Sequence, residues 1–141
     1  MDVPVNYLAV LLAALSTLVV GSIWYSQGVF GRTWAKLARV DLSKPPKSGE
    51  FVWLMGSTLV ASLVTAYVLA HVAFLTNQFF QNSFLQDSVL SALWLWLGLI
   101  VTRLYIHDAF EGRRKKLTLL NALHELVTVL IMALIIGLMG Y

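Results

Sequence analysis

Four apolar runs, separated by polar, charged or turn-forming residues, organise this chain of 141 residues. They cover roughly residues 5–25, 51–75, 88–110 and 117–139. Each is close to the ~20 residues that a helix rising 1.5 Å per residue needs to cross ~30 Å of hydrocarbon. Backbone in lipid must satisfy its own hydrogen bonds, which leaves helices or a closed barrel. Runs without period-two alternation exclude the barrel. The expected fold is all-α: a polytopic membrane protein with four transmembrane helices, forming one domain over residues 1–141.

The connections differ. Between the first two runs, Phe30, Trp34 and Leu37 fall at i, i+4 and i+7, while Arg32, Lys36 and Arg39 make a second stripe. That pattern predicts a short amphipathic helix on the membrane surface, aromatic side down and cations toward headgroups. Pro45 and Pro46 are expected to end it, and Ser48 to cap the second span. The 76–87 connection, rich in Asn, Gln and Phe, reads as an uncharged outer loop. The last turn is tight and basic, with Gly112 placed to stop the third helix. Small residues recur every four positions at Ala9, Ala13, Thr17 and Gly21, at Ser62, Ala66 and Ala70, and at Ala133 and Gly137. Such stripes let helices approach closely in lipid, inside one bundle or between the protomers of a homo-oligomer.

Composition agrees with the pattern. The chain is 59% hydrophobic and 12% charged, against about 25% charged residues in soluble domains. Its mean hydropathy is +0.78. Charge adds orientation. All ten Lys and Arg lie at 32–47, at 113–116, or just inside the third run at Arg103. The N-terminus, the 76–87 connection and the C-terminus carry none. Cations on alternate connections are the positive-inside signature, so both termini are expected on the outer side of an inner (plasma) membrane. The formal net charge of +3 then reads as topology and attraction to anionic lipid headgroups, not as nucleic-acid binding. The first run lacks a positive leading region and is expected to be a retained span, not a cleaved signal. Without cysteine, disulfide and thiolate-metal chemistry are excluded.

One motif is more specific. Gly21-Ser22-Ile23-Trp24-Tyr25-Ser26, then Phe30-Gly31 and Trp34, with Asn6 just before the first span, resembles the bacterial DUF1761 family. Its members are small four-span integral membrane proteins of unknown function. The resemblance covers essentially the whole chain. It implies a bacterial integral membrane protein, and it carries over no catalytic residue because no activity is attached to the family.

Ionisable side chains inside spans are rare and costly, which makes each a functional candidate. Here they are Arg103, His107 and Asp108 in the third run, His124 and Glu125 in the fourth, and His71 in the second. Counting outward from Arg114 in the short turn sets Arg103 level with Glu125 and His107 level with Asn121. The expected binding cluster is Arg103, His107, Asn121, His124 and Glu125, centred on an Arg103–Glu125 ion pair. A helix-pairing clamp without chemistry remains an alternative, as does an Arg103 that snorkels to headgroups. His107–Asp108 and His124–Glu125 are adjacent pairs that cannot easily face one point, so no resident metal is expected. His71 lies nearly a membrane's thickness from the other histidines, which excludes a haem held between them. Trp24, Trp34 and Trp53 suit an aromatic belt, while Trp94 and Trp96 point to different faces. No phosphate-cradling glycine loop, Ser-His-Asp order or His-Glu-x-x-His motif is present. No cofactor is implied and no catalytic residue is identified.

Three functional classes stay open. One is a homo-oligomeric transport, permeation or small-ligand-binding protein using the cluster between the last two helices. Another is a membrane-embedded enzyme acting on a lipophilic substrate. The third is an accessory protein without chemistry. A continuous polar path favours transport, whereas a pocket opening sideways to lipid favours an enzyme or a lipid binder. A dry, packed cluster favours the accessory role.

Overall fold

The computed structural model describes residues 3–44 and 46–141. Five helices follow one another: α1 Tyr7–Trp24, α2 Gly31–Ala38, α3 Ser48–Phe80, α4 Phe84–Phe110 and α5 Lys115–Met139. All but α2 are long and apolar enough to cross a membrane, as a multi-pass membrane protein requires. They form an antiparallel ring in which α1 packs on α3 and α5, and α4 closes the ring between α3 and α5.

Small residues set the packing. Ala9, Ala13 and Thr17 of α1 and Ser62, Ala66 and Ala70 of α3 are all buried inside the ring. Thr17 Oγ1 and Ser62 Oγ share a 2.8 Å hydrogen bond across that seam. Ala133 is buried on α5, and Gly137 lets α5 touch the backbone of α4, where a Cβ would come 2.7 Å from Leu85 Cα. The stripes are therefore consumed within the bundle. Val10, Leu69, Ala92, Val129, Met132 and Ile136 complete an apolar middle.

The end that carries the termini is tied by polar groups. Asn6 caps α1 by accepting from Ala9 N–H (3.1 Å), and its Nδ2 donates to Met139 O at the end of α5 (3.4 Å). The rings of Phe74 and Phe84 meet Tyr141 edge-on at 4.8 and 4.9 Å. The 76–87 connection is not a loop. Helix α3 continues through Phe80, the turn shrinks to residues 81–83, and α4 begins at Phe84 with Ser83 Oγ accepting from Gln86 N–H. Asp87 explains this tightness. It is 0% exposed and accepts from Asn77 Nδ2 at 2.7 Å and Asn82 Nδ2 at 2.9 Å. Polar composition here marks a hydrogen-bonded helix junction, and the buried carboxylate corrects its reading as uncharged.

At the opposite, basic end, the stretch that carries the two stripes forms a short helix, α2. It stops at Arg39 in the left-handed region (φ 58°, ψ 39°), ahead of the prolines expected to end it; Pro45 lies outside the described residues. Just beyond, Ser43 Oγ and N–H both donate to Asp41 Oδ1 (2.7 and 2.9 Å), holding that carboxyl below the usual carboxylate range. Ser48 is the first residue of α3, not its cap; Glu50 Oε2 caps the helix by accepting Lys47 N–H at 3.2 Å. Gly112 (φ +67°) closes α4 as expected, with Arg113 N–H on Asp108 O (2.9 Å) and Gly112 N–H on Ala109 O (3.2 Å).

Two departures shape this end. With 33 residues, α3 is roughly 50 Å long at 1.5 Å per residue, more than a bilayer core needs, so it must tilt or project. Within residues 48–58 every residue but Met55 is exposed. And α4 contains a π turn, Trp96–Val101, which the uniformly apolar run conceals.

Candidate ligand cleft at the basic end

The cleft begins with the turn after α1. The chain folds back on itself there: Phe30 N–H bonds Trp24 O (3.0 Å), and Val29 and Gly31 N–H both bond Ser26 O (3.1 and 2.9 Å). Gly31 is buried so close to this backbone that a Cβ would lie 2.7 Å from Ser26 O and overlap the Tyr25 carbonyl. The reversal stacks Phe30 on Trp24 (centroids 4.5 Å apart) and seats Trp34 of α2 edge-on to Tyr25 (5.3 Å). The Gly–Trp–Tyr…Phe–Gly…Trp motif is thus a backbone reversal that holds α2 under the bundle.

The second wall comes from α4. Above the π turn, Asp87, Ser88, Ser91 and Ala92 are buried; among Thr102–Phe110 only Asp108 is. Trp96 Nε1 donates to Ala122 O on α5 (2.8 Å), and Thr102 Oγ1 bonds back to Gly98 O (2.7 Å). The first bond pins α4 to α5 at the π turn. The second is a back-bond of the kind that bends helices. π turns occur frequently at functional sites.

Below that point the two helices stand apart around a cavity of about 550 Å³. Its polar lining is Tyr25, Arg103, His107, Arg113, Asn121 and Glu125, with Trp34, Ala38, Ile100, Leu104 and Leu117 as apolar walls. Four of the five residues expected at the site, Arg103, His107, Asn121 and Glu125, therefore meet in one place. The Arg103–Glu125 ion pair does not form within 4.0 Å. The two charges face a shared cleft wide enough to hold a ligand. Tyr25 Oη donates to Asn121 Oδ1 at 3.4 Å, the one side-chain hydrogen bond between lining residues among those described.

His124 is placed differently. Its ring faces α1, 4.9 Å from Tyr25 and 5.8 Å from Trp24 by centroids, close to Gly21. Nδ1 lies 3.4 Å from Glu125 Oε1, while His124 Nε2 and Trp24 Nε1 are buried without hydrogen-bond partners. It backs the cleft wall and does not line it.

Sequence reasoning missed several residues. In the sequence Arg113 carries only a topology signal. Tyr25 and Trp34 read in the sequence as motif or belt residues, and the signal that points further is the motif's spacing, which suits a constrained turn. Asp108 stood among the ionisable residues without a partner; it is 3% exposed, with Thr118 Oγ1 donating to Oδ2 at 2.6 Å and Arg113 Nε 3.7 Å from Oδ1. Counting from position 113 in the turn would have paired Asp108 with Thr118. Asp108 thus locks the α4–α5 turn beside the cleft. His71 bonds Tyr67 O within its own helix (2.9 Å). Trp94 is exposed and Trp96 is the α5 anchor; neither lines the cleft. Among the described residues no three His, Asp or Glu side chains gather as a metal site.

The architecture defines a small multi-pass membrane protein whose four-helix bundle is sealed in the middle and opens at its basic end. The family model described as Protein of unknown function (DUF1761) matches residues 8–137, so the chain belongs to that family. No curated protein and no solved structure matches it.

Proposed function

We propose that this is a bacterial inner-membrane protein, with both termini outside, that binds a small amphipathic ligand from the cytoplasmic leaflet. The polar head of the ligand occupies the cleft among Arg103, His107, Asn121, Glu125 and Tyr25. The observation that carries this reading is the missing fourth wall. Side chains from α2, α4, α5 and the end of α1 line the cleft, none comes from α3, and the first turns of α3 are exposed. On this reading the open side faces lipid. A second, apolar groove of about 240 Å³ runs between α3 and α4 along Val64, Val68, Leu69, Leu95 and Leu99, and shares Ile100 with the cleft. A polar head beside an apolar channel suits a molecule with both parts.

The same geometry disfavours permeation by a single chain. Val10, Leu69, Val129, Met132 and Ile136 pack the middle of the bundle, and no polar cavity continues past them among the described residues. Homo-oligomerisation loses its main sequence argument, since the small-residue stripes face inward.

Native mass spectrometry of protein extracted in mild detergent tests the reading. A bound amphiphile of defined mass is expected, and Arg103→Ala or Asn121→Ala should weaken it. Loss of a hydrogen bond to a charged group is worth about 1.5–3 kcal/mol, so affinity should fall at least roughly tenfold for the arginine variant, read as lower occupancy under matched extraction. Bound species that are absent, or equal in the wild type and both variants, overturn it.

A further inference from the structure

A second concave surface lies on the other side of α2, apart from the cleft. We propose that it is a site for a phosphate-bearing anion, either a lipid headgroup or a soluble polyphosphate. The concavity, about 810 Å³, is lined by Arg32, Thr33 and Lys36 of α2 and by Arg114, Lys115 and Lys116 at the start of α5. Five of the ten Lys and Arg residues of the chain thus converge from two helices, with no carboxylate in the lining. Among the described residues, none of the five comes within 4.0 Å of an acidic partner, whereas Arg113 is engaged by Asp108 and Glu111, and Lys44 by Asp41.

Membrane topology needs cations at this end, but it does not need them crowded into one hollow. Three of them also sit where they are electrostatically disfavoured. Arg114 is the N-cap of α5, and Lys115 and Lys116 are its first residues, whereas a helix N-terminus favours negative charge. No acidic residue occupies that first turn and no side chain caps it. The Lys115 and Lys116 backbone N–H groups have no partner within the helix. An anion would relieve the mutual repulsion of the five cations and would also accept from these donors. Several tetrahedral oxygens suit guanidinium and ammonium groups arriving from two directions. Thr33 adds a hydroxyl from the α2 side.

Thermal unfolding of the purified full chain in neutral detergent at fixed ionic strength tests the site with two probes. One is inorganic pyrophosphate. The other is dioleoyl phosphatidic acid mixed into the micelle, compared with dioleoylglycerol, which has the same chains and no phosphate. At least one phosphate probe is expected to raise the midpoint by a few degrees, and which one does so identifies the source. The shift should vanish in Lys115→Gln/Lys116→Gln and in Arg32→Gln/Lys36→Gln. It should persist in Lys44→Gln/Lys47→Gln, which removes the same charge outside the hollow. No shift with either probe in the wild type overturns the proposal, as does equal loss in all three variants, which marks bulk electrostatics. Only the ligand-induced shift is read, so a lower basal midpoint leaves the test valid. A positive result also stands whether or not an amphiphile occupies the neighbouring cleft.

Discussion

Replacing Asp87 with alanine should be among the most destabilising single substitutions in this chain. Its carboxylate is fully buried and holds two amide donors, one from the end of α3 and one from the turn. Truncation leaves the Asn77 and Asn82 N–H groups without that acceptor. Asn82 is exposed and Asn77 also donates to Asn82 O (2.9 Å), so the cost is that of the two lost hydrogen bonds to a carboxylate, about 1.5–3 kcal/mol each. A loss of roughly 3 kcal/mol is therefore expected, read as a clear drop in the detergent unfolding midpoint. Asp87→Asn should fall between, because it keeps the shape but turns one acceptor into a donor. Adding Asn77→Ala to Asp87→Ala should cost less than the sum of the two single changes, since both remove the same Asn77–Asp87 hydrogen bond. An Asp87→Ala protein that melts with the wild type would show that the junction does not depend on this carboxylate.

Gly31→Ala is the second. A Cβ at this position meets the carbonyls of Tyr25 and Ser26, which belong to backbone already fixed by the reversal after α1. Backbone cannot swing aside as a side chain can. Overpacking of this kind costs about 1–3 kcal/mol and occasionally more, and the upper end is expected. The consequence is local: α2 loses its seat, and Trp34 and Ala38 leave the cleft wall. Tryptophan fluorescence should shift, and ligand occupancy should fall with stability. Gly28→Ala, three residues earlier with nothing within 4 Å of its Cβ, should change neither. If Gly31→Ala behaves like Gly28→Ala, the motif does not work through close backbone approach.

The outline of the fold was legible because membrane spans are written in length and continuity of apolar residues. Residues 5–25 and 117–139 come close to α1 and α5. The amphipathic stripe at Phe30, Trp34 and Leu37 found α2. What failed were places where polarity and helicity part company. Thr76 to Phe80 and Phe84 to Asp87 look like loop by composition, yet they are helix because Asp87, Asn77 and Asn82 satisfy one another across the turn. The π turn left no mark, since an inserted residue in an apolar run changes no composition.

The site was half legible for a related reason. Counting outward from a tight turn gives depth, and depth brought Arg103, His107, Asn121 and Glu125 to one level. It does not give the spacing between helices. Where α4 loosens below Trp96, the expected Arg103–Glu125 contact becomes a cleft. Nor does depth give rotation, so His124 turned to α1 instead.

The central claim is an open polar cleft at the basic end beneath a closed core. The chain contains no cysteine, so single-cysteine labelling with a membrane-impermeant maleimide reads it without background. Leu104 lines the cleft, and Ala133 is fully buried in the core. In sealed membranes of known orientation, Leu104→Cys should react only from the side bearing the 113–116 turn, and Ala133→Cys from neither side. A Leu104→Cys that reacts from the side of the termini, or from neither side, would contradict the account.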